Sequence, residues 1–152
     1  MKFALLVLIL LCASGVAVAQ QPKTVSPAAE ESLTLEAGRF DGTWDVTLVC
    51  PTHTDGGLGY IYQFVTGVQD GVLHGQHGSE GSPGSLTLKG KIQPDGSASL
   101  DARGHTADPS YSVGRAPRST AYSYHITARF EGSRGTGSRV EARICNLSFV
   151  KR

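Results

Sequence analysis

The chain has 152 residues, of which 39% are hydrophobic and 18% charged, with 19 glycines and a formal net charge of +1 at pH 7. So small a net charge gives little support to nucleic-acid binding, and beyond the N-terminal leader no apolar run approaches the roughly 20 residues that a membrane span needs. Once residues 1–38 are set aside as an N-terminal leader and a lead-in segment, about 110 residues remain, which is the size of one small domain.

Residues 1–19 have the features of a secretory signal peptide. Lys2 supplies an early positive charge, the apolar run Phe3–Cys12 follows, and small residues end the segment at Ala17-Val18-Ala19. Cleavage after Ala19 is expected, so the protein is predicted to be periplasmic or secreted. Residues 20–38 mix proline, alanine, serine and glutamate without a sustained period, which predicts a flexible N-terminal segment.

A single domain over residues 39–152 is predicted to begin with the strand Phe40–Cys50. Alternation between apolar and polar residues is typical of a half-buried strand. The inward residues of this first strand are Trp44, Val46, Leu48 and Cys50. Residues 59–69 alternate in the same way, with Tyr60, Tyr62 and Phe64 on the inward face.

Asp70-Gly71 predicts a two-residue hairpin turn, because this pair suits a type I′ turn with two positive φ angles. That turn puts Val68 beside Leu73 and directs His77 inward. Two further strands are expected over residues 85–92 and after the turn at 93–96. Their inward residues are Leu86, Leu88, Gly90, Ile92, Ala98, Leu100, Ala102 and Gly104. Small inward residues leave room for large ones opposite, as in a closed barrel or a tight sandwich.

Residues 105–120 lack an obvious long strand, and so long a connection is uncommon unless it is functional or contains a short element. A short strand at Tyr111–Arg115 is therefore expected. Residues 121–131 alternate strongly, and their inward residues are Tyr122, Tyr124, Ile126, Ala128 and Phe130. The glycine-rich stretch 132–137 is predicted to be a turn, followed by a last strand over about residues 138–150.

One disulfide is expected between Cys50 and Cys145, the pair left after Cys12 departs with the signal peptide. Two buried free thiols are the alternative. Because Cys50 lies on the Trp44 face, the bridge places Cys145 on the inward face of the last strand, together with Arg143, Leu147 and Phe149.

The predicted fold class is all-β: an antiparallel meander that closes into a small, about eight-stranded β-barrel. With seven strands the first and last would run parallel, whereas an eighth makes them antiparallel, and eight is favoured. Antiparallel closure with Cys50 opposite Cys145 brings Lys151 over the ring of Trp44 in a cation–π contact. Parallel closure would put Arg139 there instead.

Two resemblances bear on this fold. Gly42-Thr43-Trp44 resembles the G-x-W signature of the lipocalin and avidin superfamily, which implies a calycin-like barrel whose Trp packs under a basic residue from the last strand. Here Lys151 and Arg152 are the basic residues at that end. No ligand set of that superfamily aligns with this chain.

The longer resemblance covers FDGTWDVTLVCP, DGVLHGQHG, PGSLTLKGKIQPDG, YSYHITARFEGSRGTGSR and ICNLSFVKR. In these segments the chain is similar to a group of small exported proteobacterial domains without assigned activity. The resemblance implies export and a single intact domain, and it brings no catalytic residues.

The sequence predicts no metal site, no cofactor and no catalytic residue. His74 and His77 are three apart on a strand, so they face opposite sides and cannot bind one ion together. Serine, histidine and aspartate occur without a nucleophile elbow or paired inward carboxylates, so the protein is not expected to be an enzyme.

Five inward residues are candidates for binding a ligand: Tyr60, Tyr62, His77, Tyr122 and Tyr124. Their rings could stack on a small molecule and their polar groups orient it. They could equally form the core, because the interior of an eight-stranded barrel is just wide enough to be filled by side chains or to hold one small ligand.

The favoured hypothesis is an exported, non-catalytic binding domain for a small-molecule ligand or an exported protein partner, without nucleic-acid binding or membrane insertion. The alternative is a periplasmic or secreted protease inhibitor that uses residues 20–38, since some small periplasmic inhibitors are barrels that insert such a segment into their target. The disulfide of those inhibitors spans a short loop near the N-terminus, unlike the long closure from Cys50 to Cys145 expected here.

Overall fold

The computed structural model describes residues 38–152 except Val140. The predicted signal peptide and all but the last residue of the segment 20–38 lie outside the described residues. The described chain is all-β, with eight antiparallel strands that close in meander order into a barrel. The strands are β1 (Gly42–Cys50), β2 (Tyr60–Gln69), β3 (Val72–His77), β4 (Leu86–Ile92), β5 (Ser97–His105), β6 (Ala121–Glu131), β7 (Arg134–Arg139) and β8 (Cys145–Lys151).

Helical structure in the described part of the chain is limited to three short 3₁₀ turns, at Gly38–Phe40, Pro109–Tyr111 and Val113–Arg115. Among these residues no helix is long and apolar enough to cross a membrane.

The barrel closes between β1 and β8, which pair antiparallel. The register is the one expected from the cysteines: Leu48 lies opposite Leu147, Val46 opposite Phe149 and Trp44 opposite Lys151. Cys50 and Cys145 form a disulfide with their Cα atoms 4.4 Å apart. The Lys151 Nζ lies 5.9 Å from the centre of the Trp44 ring, within the range of a cation–π contact. The predicted antiparallel closure is confirmed.

The eighth strand does not lie where it was predicted. Tyr111–Arg115 was expected to be a strand, but it belongs to two 3₁₀ turns. Asp108 caps the first turn by accepting a hydrogen bond from the Ser110 N–H at 2.9 Å. Gly114 and Arg115 have φ angles of 64° and 53°, which a strand cannot accommodate.

The additional strand comes from the C-terminal region, where one strand over residues 138–150 was expected. Instead β7 and β8 are separate, and the predicted turn over residues 132–137 is wrong because β7 already begins at Arg134. Gly135 and Gly137 occupy strand positions opposite Phe130 and Ala128. A Cβ at Gly135 would lie 2.8 Å from the Phe130 ring, so this glycine makes room for a large side chain rather than a turn.

All tight turns lie at one end of the barrel, which we call the closed end, and all long connections lie at the other, the open end. The hairpin turn between β2 and β3 shows the pattern: Asp70 and Gly71 have φ angles of 52° and 72°, and Val68 lies opposite Leu73 as predicted. The backbone N–H groups of both turn residues donate to the carboxylate of Asp41, just before β1. The connections at the open end span residues 51–59, 78–85, 106–120 and 140–144.

Aromatic side chains fill the closed end. Trp44 is fully buried, and its ring meets that of Phe130 edge-on with 5.3 Å between centroids. The 3₁₀ turn at Gly38–Phe40 covers this end, because the Phe40 side chain is buried and its carbonyl accepts a hydrogen bond from the Trp44 indole at 2.9 Å. Phe40 was expected to open the first strand, but it lies before it.

The inward faces predicted from alternation are confirmed for the closed end and the middle of the barrel, where the inward side chains are buried. Toward the open end the inward side chains of β2 are only partly buried: Tyr60, Tyr62 and Phe64. The barrel is thus packed at one end and incompletely filled at the other.

Candidate ligand-binding site

A cavity of about 330 Å³ lies at the open end of the barrel. Its inner wall is formed by three tyrosines, Tyr60 and Tyr62 from β2 and Tyr122 from β6. The connection 106–120 supplies most of the opposite wall, and Arg139 and Arg143 lie on the side of β7 and β8. The volume is at the lower end of the range for small-molecule sites, roughly 300 to 1,000 Å³.

Three of the five residues predicted to bind a ligand line this cavity: Tyr60, Tyr62 and Tyr122. Tyr124 lies deeper and is 5% exposed, with its ring nearly parallel to that of Tyr122 at 5.7 Å between centroids. His77 is half-buried and stacks on the Tyr62 ring at 4.0 Å. It does not line the cavity, so its role is to support Tyr62.

The four tyrosines Tyr60, Tyr62, Tyr122 and Tyr124 stay neutral at physiological pH. Burial is the main cause that raises the pKa of each phenol above its usual value. The hydroxyl of Tyr122 donates to the Ser85 carbonyl at 3.0 Å, which fixes its ring at the cavity wall. The inner wall therefore offers aromatic faces and uncharged hydroxyl groups.

Two arginines at the cavity were not recognised as site residues from the sequence. Arg139 was expected beside Trp44 only if the barrel closed in parallel; instead its guanidinium carbon lies 4.0 Å above the Tyr124 ring. Arg143 was assigned to the inward face, and it is 2% exposed. An arginine among the inward residues Cys145, Leu147 and Phe149 was the signal that could have identified it, because a fully buried arginine is rare unless it has a partner.

The connection 106–120 is the other part of the site that was not predicted. Its cavity-lining residues are Thr106, Ala107, Tyr111, Ser112, Val113, Ala116 and Thr120. The Leu58 N–H donates to the Ser110 carbonyl at 2.8 Å and holds this connection against residues 51–59. The Thr106 N–H donates to the Thr120 carbonyl at 2.9 Å and joins the two ends of the connection. The unusual length of this connection was its one sequence signal.

Asp55 joins two of the connections at the open end. Its carboxylate accepts hydrogen bonds from the backbone N–H of Gly114 at 2.6 Å and of Gly57 at 2.9 Å, and it pairs with His53 Nδ1 at 2.8 Å. These contacts, the Gly114 N–H foremost, hold the pKa of Asp55 well below its usual value. The charged form of Asp55 therefore stabilises the arrangement of loops at the cavity.

We expect Asp55→Asn to reduce the acid sensitivity of the fold. Because the pKa of Asp55 is lower in the folded chain than in the unfolded chain, where it is about 3.9, its ionisation stabilises the fold above about pH 4. That stabilisation is lost as the pH falls toward the depressed folded value. Urea unfolding at pH 7 and pH 3 should show a smaller loss of stability for Asp55→Asn than for the unmodified chain.

Asp70→Asn is the matched control, since it removes an exposed carboxylate and asparagine tolerates the positive φ of that turn. This variant should lose as much stability between pH 7 and pH 3 as the unmodified chain. Equal acid sensitivity in the Asp55→Asn variant would contradict the assigned role of Asp55.

The remaining histidines do not assemble into a cluster with acidic or cysteine ligands. His74 is exposed on the outer face of β3, opposite in direction to His77. His105 lines the cavity. Within residues 38–152, Val140 excepted, no group of three or more histidine, cysteine, aspartate or glutamate side chains is placed to hold a metal ion.

No protein-family model, no curated protein and no solved structure matches the chain.

Proposed function

We propose that this protein is an exported, non-catalytic binding domain that takes a small molecule into the cavity at the open end of the barrel. The observation that carries the proposal is the cavity itself, which is lined by the rings of Tyr60, Tyr62 and Tyr122. Aromatic rings stabilise a bound molecule through large contact areas and specific ring geometries, and their hydroxyl groups orient it.

The construction of the barrel supports this proposal. The closed end is packed, so the aromatic residues there stabilise the fold, whereas the tyrosines at the open end are only partly covered by other side chains. His77 and the Ser85 carbonyl hold Tyr62 and Tyr122 in place, which reduces the ordering that a ligand must impose. The disulfide supports export, because such bonds persist in oxidising compartments.

Filling the cavity should weaken binding strongly without unfolding the barrel. Ala116 is a half-buried residue of the cavity wall, and in Ala116→Trp the indole would occupy space that a ligand needs. We expect this variant to lose at least tenfold in affinity for the two-ring probes 2-naphthoate and 2-naphthamide, measured by calorimetry and by NMR titration. The NMR shifts in the unmodified chain should be confined to the cavity-lining residues.

Ser99→Trp is the control, because it adds the same side chain at an exposed position on the outer face of β5. Its affinity for both probes should equal that of the unmodified chain. If neither probe shifts the signals of the cavity-lining residues in the unmodified chain, the proposal is wrong.

Deletion of residues 20–37 separates this proposal from the inhibitor hypothesis. The described chain enters the barrel at the closed end, opposite the cavity. Removal of the upstream segment should therefore leave probe binding unchanged. An inhibitor that inserts this segment into a protease would lose its activity.

A further inference from the structure

We infer that the cavity is built for an anion, and specifically for an aromatic compound that carries a carboxylate; this inference rests on the proposed function. It follows from two arginines, Arg139 and Arg143, that take part in none of the described salt bridges, and from the absence of any acidic residue among the described side chains that line the cavity. The described acidic side chains in close contact with a basic side chain or a histidine are Asp55 with His53, Asp101 with His125, Asp95 and Glu131 with Arg129, and Asp45 with Arg152.

Arg143 carries the first part of the argument. Its Nη1 donates to the Leu58 carbonyl at 3.0 Å and its Nη2 to the Gly57 carbonyl at 2.9 Å, while its buried Nε has no hydrogen-bond partner among the described residues. Carbonyl oxygens are neutral, so these bonds orient the guanidinium without cancelling its charge. A buried charge is costly unless it is paired, and an anion in the cavity would supply the pair.

Asp55 is the acidic residue on the neighbouring connection, and it does not serve as that pair. Its carboxylate already accepts from the N–H groups of Gly57 and Gly114 and pairs with His53. It forms no ion pair with Arg143. Arg143 therefore lies in the cavity wall without a salt bridge to Asp55.

Arg139 adds a second positive charge to the same wall. Its Nε donates to the Glu141 carbonyl at 2.9 Å, and its guanidinium lies over the Tyr124 ring. A guanidinium has five N–H donors in a planar fork that suits a carboxylate, so one backbone acceptor leaves most of them for a ligand. The neutral phenols of Tyr60, Tyr122 and Tyr124 cannot balance these charges.

The tyrosines determine the rest of the ligand class. The rings of Tyr60, Tyr62 and Tyr122 provide apolar faces beside the arginines, and two guanidinium groups provide the anion-binding side. A flat aromatic ligand would contact the tyrosine rings while its carboxylate accepts hydrogen bonds from the guanidinium groups.

Two matched probes test the preference for an anionic ligand separately from binding in the cavity. 2-Naphthoate and 2-naphthamide share a ring system and differ in the charge of one group. The oxidised protein should bind 2-naphthoate about tenfold or more tightly than 2-naphthamide, since a hydrogen bond to a charged group is stronger than a neutral one. In NMR titrations the Nε–H resonance of Arg143 should shift with the acid and much less with the amide.

Arg139→Gln should lower the affinity for 2-naphthoate about tenfold and leave that for 2-naphthamide nearly unchanged. Arg134→Gln is the matched control, because Arg134 is exposed on the same strand and does not line the cavity. This control should retain the full preference for the acid.

Equal affinity of the unmodified protein for the two probes would overturn the anion inference and leave the proposed binding function standing. A preference for the acid that survives in Arg139→Gln and also in Arg143→Gln would overturn it as well. If neither probe binds, the proposed function and this inference both fail.

Discussion

Removal of the Cys50–Cys145 disulfide is expected to lower the free energy of unfolding by about 3 to 5 kcal/mol. The bridge joins the end of β1 to the start of β8 and closes a loop with a sequence separation of 95, which spans nearly the whole barrel. So long a loop has much conformational freedom in the unfolded chain once the bridge is broken. Urea unfolding of Cys50→Ala/Cys145→Ala against the oxidised chain measures the effect.

Both cysteines are buried, so the alanine variant also loses some packing. Reduced but otherwise unmodified protein is the control, because its thiols keep the side-chain volume. The reduced protein should account for most of the loss seen in the double variant. A loss below about 1 kcal/mol in both would show that the bridge contributes little to the stability of the barrel.

Phe130→Ala is expected to destabilise the fold by about 3 to 5 kcal/mol. The Phe130 ring is fully buried and contacts three other rings, those of Phe40, Trp44 and Phe149, with centroid separations of 5.9, 5.3 and 4.9 Å. Truncation removes these contacts and leaves a void that tightly packed neighbours cannot fill. Denaturant titration gives the difference directly.

Thr127→Ala is the control on the same strand, since Thr127 is exposed on the outer face of β6. Its stability should stay within about 0.5 kcal/mol of the unmodified chain. Tyr62→Ala should cost clearly less than Phe130→Ala, because Tyr62 is only partly buried at the cavity. Equal losses at Tyr62 and Phe130 would mean that the open end is packed as tightly as the closed end.

The barrel could be predicted from the sequence because apolar and polar residues alternate with a period of two along most of its strands. The inward series from Trp44 to Cys50 and from Tyr122 to Phe130 are both buried or partly buried as expected. The disulfide then set the register of closure, since one cross-link between alternating strands leaves a single antiparallel pairing that keeps both inward faces inside. Residue pairs such as Trp44 and Lys151 followed from that pairing.

The position of the eighth strand could not be predicted, because its signal was carried by glycines. Gly135 and Gly137 are typical of a turn in the sequence, yet they lie in β7 because Phe130 and Ala128 on β6 leave no room for a larger residue. That constraint acts between strands and is not visible within either one. The strand predicted at Tyr111–Arg115 was wrong for a local reason. The Asp108 cap and the positive φ of Gly114 favour turns in this segment.

The site was only partly predictable for a related reason. Strand tyrosines obey the period of two, so Tyr60, Tyr62 and Tyr122 could be named as candidates. The residues of the connection 106–120 follow no period. Arg143 continues the alternation of β8 but lies before that strand, and its place in the cavity wall depends on the carbonyl groups of Gly57 and Leu58. Whether the barrel is hollow depends on how these irregular segments pack over its mouth, and no local pattern records that packing.

Both ends of the described chain leave the barrel on the side away from the cavity. The 3₁₀ turn at Gly38–Phe40 covers the closed end, and the Arg152 N–H donates to the Thr43 carbonyl at 2.9 Å beside it. A group attached upstream of Gly38 or downstream of Arg152 would therefore be joined to the domain at its closed end. A copy anchored to a solid support through either end would present the mouth of the cavity outward, accessible to molecules that diffuse past.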